Sequence, residues 1–90
     1  MYTPEFTNQF RKSYKRMIKR GAKPEIFEVV LDTICSGKKL QVNHKEHKLS
    51  GNYAGYTECH IQPDWILVYK RSEETKTIIF TDTGTHSDLF

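Results

Sequence analysis

The spacing of apolar residues changes near residue 36, and this change is the feature that most limits the folds open to the chain. Before it, apolar residues recur every three or four positions, the period of an amphipathic α-helix. From residue 56 onward, short runs of β-branched and aromatic residues alternate with polar turns, which is typical of strands. Ninety residues are enough for one domain. The sequence therefore predicts a single α+β domain over residues 1–90.

Two helices are predicted in the first part of the chain. The first begins after a cap at Thr7 or Asn8, whose short polar side chains can accept from free backbone amides, and it ends at Gly21. Pro24 opens the second helix at a position where proline is well tolerated. Because the linker between them is short, we expect an antiparallel helical hairpin. The apolar face of the first helix comprises Phe6, Phe10, Tyr14, Met17 and Ile18.

Strands are predicted at residues 56–61, 65–70 and 76–82, separated by short polar turns that favour antiparallel pairing. A further short strand over residues 2–5 is confined to an edge or an end, because Pro4 cannot donate a backbone hydrogen bond. The helical hairpin is expected to pack on one face of this small, mostly antiparallel sheet. Residues 38–55 show no period and are predicted to form a long loop, a kind of segment that often carries function.

The cysteine count and the hydropathy indicate a reduced, cytoplasmic protein. The first residues lack the apolar core of a secretory signal, and no stretch approaches the roughly 18 apolar residues that a membrane span requires. The two cysteines, Cys35 and Cys59, are expected to be free thiols in that compartment, with a disulfide between them as the alternative.

Charge is distributed unevenly along the chain. The first 50 residues carry eleven Lys or Arg against five acids, whereas the last 40 carry three against six. The basic first half favours contact with a polyanion or with an acidic protein partner. A solvated helix surface is the alternative for its most basic part, although no acid interrupts it. That part comprises Arg11, Lys12, Lys15, Arg16, Lys19 and Arg20.

All four histidines lie in the second half, at positions 44, 47, 60 and 86. His60 and Asp64 flank a predicted turn between strands, and His86 follows the last strand. A turn and a strand end can meet at one rim of a sheet or lie at opposite rims, so the sequence leaves their convergence open. Where imidazoles converge they can take and give protons near neutral pH, as phosphodiester transesterification demands. Solvated histidines are the alternative.

Three further features have two interpretations each. His44-x-x-His47 followed by Cys59-His60 offers zinc-type ligands, but neighbouring strand residues point to opposite faces, which argues against one shared ion. Trp65 begins an apolar strand, a position typical of the core, although a base-stacking role is open. Phe90 either plugs the core or stacks beside His86.

Two motifs resemble the YafQ branch of the RelE/ParE toxin superfamily. Residues 47–69, HKLSGNYAGYTECHIQPDWILVY, are similar to the family pattern H-x-L-x-G-x-[YW]-x-G-[YF]-R-[ED]-x-H-[IV]-x-P-D-W-[IL]-L-[IV]-Y. Residues 83–90, TGTHSDLF, are similar to its terminal [TS]-G-[TS]-H-x-x-L-F. Both motifs are long and stand in the family's order, and with the basic first helix the resemblance spans essentially the whole chain.

The resemblance implies a RelE-like fold and metal-independent cleavage of messenger RNA in the ribosomal A site. A 2′-hydroxyl would attack the adjacent phosphate, with His86 as the acid for the leaving 5′-oxygen and Asp64 or His60 as the base. His47 would help to hold the phosphate, while Trp65 and Phe90 would shape the pocket and stack on the substrate. No cofactor and no metal is expected.

Three positions depart from the family pattern. Thr57 stands where the family often has arginine, Ala54 where it often has lysine, and Gln62 where glutamate is frequent. The loss of two cations either weakens phosphate binding or moves that role to other basic residues. The candidates for that role are Lys45, Lys48 and Lys70.

The resemblance also implies partners. We expect a DinJ/RelB-like antitoxin on the basic helical face, the 70S ribosome with its messenger RNA, and operator DNA contacted only through the antitoxin. No membrane partner is expected. Two rival functions remain: a ParE-like toxin that binds DNA gyrase without nuclease chemistry, and an RNA-binding module without catalysis. Neither rival requires the set formed by His60, Asp64 and His86.

Overall fold

The computed structural model describes all 90 residues and confirms the α+β class. Both predicted helices and all four predicted strands are present within one or two residues of their expected bounds. The regular elements are, in chain order, β1 (Thr3–Phe6), α1 (Asn8–Lys19), α2 (Pro24–Cys35), β2 (His47–Lys48), β3 (Thr57–Gln62), β4 (Trp65–Ser72), β5 (Thr77–Gly84) and α3 (His86–Leu89).

The strands form one five-stranded sheet in the order β1-β5-β4-β3-β2. Every neighbouring pair is antiparallel except β1 and β5, which run parallel from the pairing of Thr3 with Thr77 to that of Phe6 with Phe80. The sheet is thus mostly antiparallel, as predicted. Strand β1 lies at an edge, where Pro4 does not interrupt the ladder.

The helices cover one face of the sheet and enclose an aromatic core. The hydroxyl of Thr7, one of the two predicted caps, accepts a hydrogen bond from the amide of Phe10 and starts α1. Phe10 then lies 5.8 Å from Phe27 of α2 and 6.1 Å from Phe80 of β5, measured between ring centroids. These contacts hold both helices against the sheet.

Four short elements were not predicted. Residues 38–55, predicted to form a loop, contain two single-turn 3₁₀ helices and the two-residue strand β2, which pairs with β3. At the other end, His86–Leu89 form α3. All four are too short to show a hydrophobic period, and contacts with the rest of the fold stabilise them.

The second face of the sheet is the one that positions the site. Along β3, Cys59 and Ile61 belong to the core between helices and sheet, so Glu58 and His60 point to the opposite face. The register places Glu58 beside Val68 and His60 beside Ile66 of β4. No helix is long and apolar enough to cross a membrane.

Candidate functional site

The turn between β3 and β4 and the end of β5 meet at the same rim of the sheet, which settles the alternative that the sequence left open. Ile66 pairs with Gly84 across β4 and β5, and this register brings Asp64 beside α3. Asp64 Oδ1 lies 2.7 Å from His86 Nδ1 and also accepts from the His86 backbone amide at 3.0 Å. Because a carboxylate can only accept, His86 carries its proton on Nδ1, and Nε2 remains for chemistry.

These hydrogen bonds change the acidity of Asp64. The backbone amide of His86, and then its ring, lower the pKa of the Asp64 carboxyl below its usual value. The carboxylate therefore keeps its contact with His86 above the ordinary aspartate pKa and loses it only as the pH falls through the depressed value. A carboxylate with a lowered pKa is also a poorer proton acceptor, so Asp64 is better suited to orienting His86 than to acting as a base.

His60 joins this pair from the neighbouring strand. Its ring centroid lies 5.3 Å from that of His86, and the rings meet at 66° in an edge-to-face arrangement. His60 is mostly buried, with a side chain 13% exposed. His60, Asp64 and His86, the three predicted catalytic residues of the rim, therefore form one cluster.

Glu58 is a further member of this cluster and was not predicted from the sequence. Its carboxylate is 8% exposed, and Oε1 lies 3.5 Å from His60 Nε2 and 3.8 Å from His47 Nε2. Two signals were available: Glu58 fills the [ED] position of the family pattern, and its spacing from His60 places both side chains on one face of a strand. The carboxylate thus lies where it can form an ion pair with either imidazole once that imidazole is protonated.

His47, the fourth predicted catalytic residue, reaches the cluster through the unpredicted strand β2. It pairs directly with Glu58, and its Nδ1 donates to the carbonyl of Lys45 at 2.8 Å, which leaves Nε2 facing Glu58. His44, which lies outside both family motifs, donates from Nδ1 to the carbonyl of His60 at 2.7 Å. His44 therefore fastens the preceding loop to β3 and stands outside the cluster.

The two predicted stacking residues have different surroundings. Trp65 is 2% exposed and donates from Nε1 to the hydroxyl of Thr83 at 2.9 Å, so it belongs to the core and has no face free for a base. The expectation that Trp65 stacks on substrate is therefore wrong. Phe90 is 63% exposed and lies edge-on to Tyr53, with ring centroids 6.4 Å apart, so it is available for stacking.

Beside the cluster, a groove of about 320 Å³ opens on the same face of the sheet. Of the three candidate phosphate cations, Lys70 lies next to it, with Nζ 5.5 Å from the centroid of the Tyr56 ring. Lys45 and Lys48 are exposed on the loop that carries His47. An aromatic groove with a lysine at its edge suits a nucleotide. The groove is lined by Leu49, Asn52, Tyr53, Tyr56, Val68, Thr81, Asp82, Leu89 and Phe90.

The basic surface of α1 divides into two parts. All six predicted cations are exposed. Arg16 and Arg20, however, face Asp88 of α3, and Arg20 is paired with it at 2.6 Å. The cations that remain open to a polyanion are Arg11, Lys12, Lys15 and Lys19.

The cysteines provide neither a disulfide nor a metal ligand beside the cluster. Both are free thiols. Burial, followed by the nearby carboxylates of Glu46 and Glu58, raises the pKa of the Cys59 thiol to about 12. Cys59 also faces the core while His60 faces the opposite side of the sheet, and the chain contains no group of three suitable side chains placed to hold a metal ion.

Comparison with known proteins shows the family. The model of the family described as bacterial toxin of type II toxin–antitoxin system, YafQ, matches residues 2–90. The mRNA interferase toxin YafQ of Escherichia coli K12 is 33% identical over 87 residues, which cover 96% of this chain and 92% of that protein.

Solved structures agree in fold. The E. coli DinJ–YafQ complex contains a chain that superimposes with a TM-score of 0.88 at 33% identity, over 100% of this chain and 99% of that one. A metal-bound toxin from Helicobacter pylori superimposes with a TM-score of 0.94 at 31% identity, over the full length of both chains.

Proposed function

Because this chain belongs to the YafQ family of type II toxin–antitoxin toxins, we propose that it is a toxin that cleaves messenger RNA and thereby inhibits translation. The observation that carries the proposal is the cluster of His60, Asp64 and His86 at the rim of the sheet, called the rim cluster below. In it, Asp64 Oδ1 lies 2.7 Å from His86 Nδ1, and the His86 ring lies beside that of His60. Two imidazoles within reach of one phosphate provide both an acid and a base. The adjoining groove supplies aromatic faces for the flanking bases.

The proposed reaction is a transesterification that needs no metal ion or other cofactor. A base removes the proton of a ribose 2′-hydroxyl, and the 2′-oxygen attacks the adjacent phosphorus. The bond from phosphorus to the 5′-oxygen then breaks, and that oxygen takes a proton from an acid. The products are a 2′,3′-cyclic phosphate and a 5′-hydroxyl. Each proton moves between a nucleotide oxygen and an imidazole.

We assign the acid to His86 and the base to His60. The Asp64 carboxylate stabilises the protonated imidazole of His86, which donates from Nε2 to the leaving oxygen. His60 accepts the 2′-hydroxyl proton, and Glu58 lies 3.5 Å from its ring, where it can balance the charge that forms. His47 and Lys70 border the site and are assigned to the phosphate, with Phe90 stacking on a base.

The proposed partners follow from the relatives. E. coli YafQ is solved in complex with DinJ. We propose that a DinJ-like antitoxin binds this chain and that the complex contacts operator DNA only through the antitoxin. The 70S ribosome is the proposed platform for cleavage, with the exposed cations of α1 as its contact surface. The cytoplasm is then the proposed location, since both partners act there.

The rim cluster also separates this proposal from its rivals. A toxin that only binds gyrase, or a module that only binds RNA, has no need of an oriented pair of histidines and a buried carboxylate. A variant of either rival protein that lost these groups would keep its cellular effect. The nuclease would lose it.

The proposal is tested by mapping cuts in a reporter messenger RNA by primer extension, using purified protein with ribosomes present or absent. We expect in-frame cuts that require ribosomes and that disappear when a cognate transfer RNA fills the A site. Cuts on naked RNA alone would remove the ribosome from the mechanism. An absence of cuts, from a protein that still arrests growth, would favour gyrase or another bound target and would overturn the nuclease assignment.

A Glu58→Gln variant is expected to cleave at least about tenfold more slowly. The change keeps the size of the side chain but removes the negative charge between His47 and His60. Single-turnover cleavage on programmed ribosomes measures the effect. Glu74→Gln, which makes the same change in the exposed turn after β4, is the matched control. Equal rates for the two variants would exclude a role for Glu58.

A further inference from the structure

The carboxylate of Asp88 in α3 is bound from two directions. Arg20, which ends α1, donates from Nη1 to Oδ2 at 2.6 Å and from Nη2 to Oδ1 at 3.2 Å. The backbone amide of Thr85 donates to Oδ2 at 2.9 Å, and the amide of Asp88 returns a bond to the Thr85 hydroxyl at 3.2 Å. One carboxylate therefore closes the capping box of α3 and joins this helix to α1.

Helix α3 needs such a connection because it has four residues, and a helix this short is not stable by itself. Its approach to β5 is also close. A Cβ atom built on Gly84 would lie 2.9 Å from the Cβ of Asp88, so only glycine allows the helix to turn back at this point. The position of α3 thus depends on the contacts of Asp88.

The other end of the connection is rigid. Helix α1 is fixed by the burial of Phe10 and Met17 in the core. On its flank, Ser13 donates from its hydroxyl to Asp82 of β5 at 2.6 Å. Arg20 therefore reaches α3 from an element that is held to the same strand from which α3 extends.

Within α3, Asp88 lies two positions after His86, so their side chains point to different sides of the helix. Asp88 is directed to α1, while His86 is directed to Asp64 and His60. The connection to α1 consequently sets the position from which His86 reaches the cluster. Phe90 follows directly after the helix and depends on the same connection.

We infer that Arg20 is a positioning residue for His86, acting through Asp88 to hold α3 against α1. This inference rests on the proposed function for its consequence in catalysis, and it replaces the expectation that Arg20 belongs to a surface for RNA or antitoxin. Arg16, whose Nη2 lies 4.0 Å from Asp88 Oδ1, supports the same carboxylate more weakly.

The connection is stable across the pH range in which histidine chemistry occurs. The hydrogen bonds from Arg20 keep the pKa of Asp88 well below its usual range, so the carboxylate stays charged wherever the proposed nuclease works. The pairing is present above the ordinary aspartate pKa and is lost only as the pH falls through the depressed value. The ion pair between Arg20 and Asp88 therefore does not change with pH near neutrality.

Arg20→Gln, Arg20→Lys and Lys23→Gln variants of the complete chain test the inference. Arg20→Gln is expected to lower kcat on programmed ribosomes at least about tenfold and to change KM less than about twofold, because a displaced acid loses transition-state contact. Arg20→Lys keeps a charged donor at this position and should retain part of the wild-type kcat. Lys23→Gln, an exposed position in the linker between α1 and α2, removes the same charge and leaves kcat unchanged.

A second measurement separates this inference from the nuclease proposal. In nitrogen-15 spectra of the free protein, the His86 ring signals should report its bond to Asp64 in the wild type and in Lys23→Gln. In Arg20→Gln they should broaden or move toward the values of a free histidine. Unchanged His86 signals in Arg20→Gln, or an increase in its KM without a decrease in kcat, would overturn the inference. A wild type without cleavage activity would refute the proposed function, and the spectra would still decide the role of Arg20.

Discussion

A His86→Ala variant is expected to cleave ribosome-bound messenger RNA about 10²- to 10⁴-fold more slowly than the wild type, the range typical for removal of a general acid. The change removes the imidazole that Asp64 orients, so the leaving 5′-oxygen would depart without a positioned proton donor. Single-turnover rates, measured with the variant in excess over programmed ribosomes, give the effect directly. Growth arrest on expression should disappear in parallel.

The matched control for this variant is Ser87→Ala, which changes the next residue of α3 and is exposed. It should cleave at the wild-type rate, because the exposed Ser87 side chain takes no part in the hydrogen bonds of Asp64, His86 and Asp88. Both variants should melt within a few degrees of the wild type, since His86 contributes little to the core. A His86→Ala protein that still cleaves at the wild-type rate would exclude His86 as the acid.

A Phe80→Ala variant is expected to lower the free energy of unfolding by about 3–5 kcal/mol, the usual cost of truncating a buried phenylalanine. Phe80 is fully buried in the helix-facing core, where its ring contacts four aromatic neighbours. A domain's net stability is only about 5–15 kcal/mol, so the variant would be marginally folded. The neighbouring rings are Phe6, Phe10, Phe27 and Tyr69, all within 6.4 Å between centroids.

Urea denaturation followed by circular dichroism measures this loss, with the m-value checked for constancy. Phe90→Ala is the matched control, because it makes the same chemical change at a ring that is 63% exposed. It should lower stability by less than about 1 kcal/mol, as is usual for exposed positions. A loss below about 1 kcal/mol in Phe80→Ala as well would mean that the aromatic cluster contributes less than its burial indicates.

The helices and the central strands could be predicted because their periods extend over many residues. Helix α1 has 12 residues and strand β4 has eight, so each is long enough for its pattern of apolar residues to repeat. Strand β2 and helix α3 could not, since two and four residues carry no period. Their stability comes from partners that are distant in the sequence.

The candidate site was predicted in part. The motifs identified His60, Asp64 and His86, but only the pairing of β4 with β5 places the last two at one rim. Glu58 was missed because a single acid in a strand is usually solvated. Arg20 was assigned to a binding surface because a helical pattern shows which face is polar but not which polar groups already have partners.

The position of β5 in the sheet has a consequence for when the toxin becomes harmful. This strand lies between β1 and β4, yet it is the last strand to be synthesised, and Thr3 finds its partner Thr77 only after most of the chain has been made. His86 comes later still. A nascent chain therefore lacks both a closed sheet and an oriented His86 until β5 and α3 have been synthesised. Activity that depends on Asp64 and His86 together, such as the proposed nuclease, is thus absent from the partly synthesised chain and begins only once β5 has paired with β4.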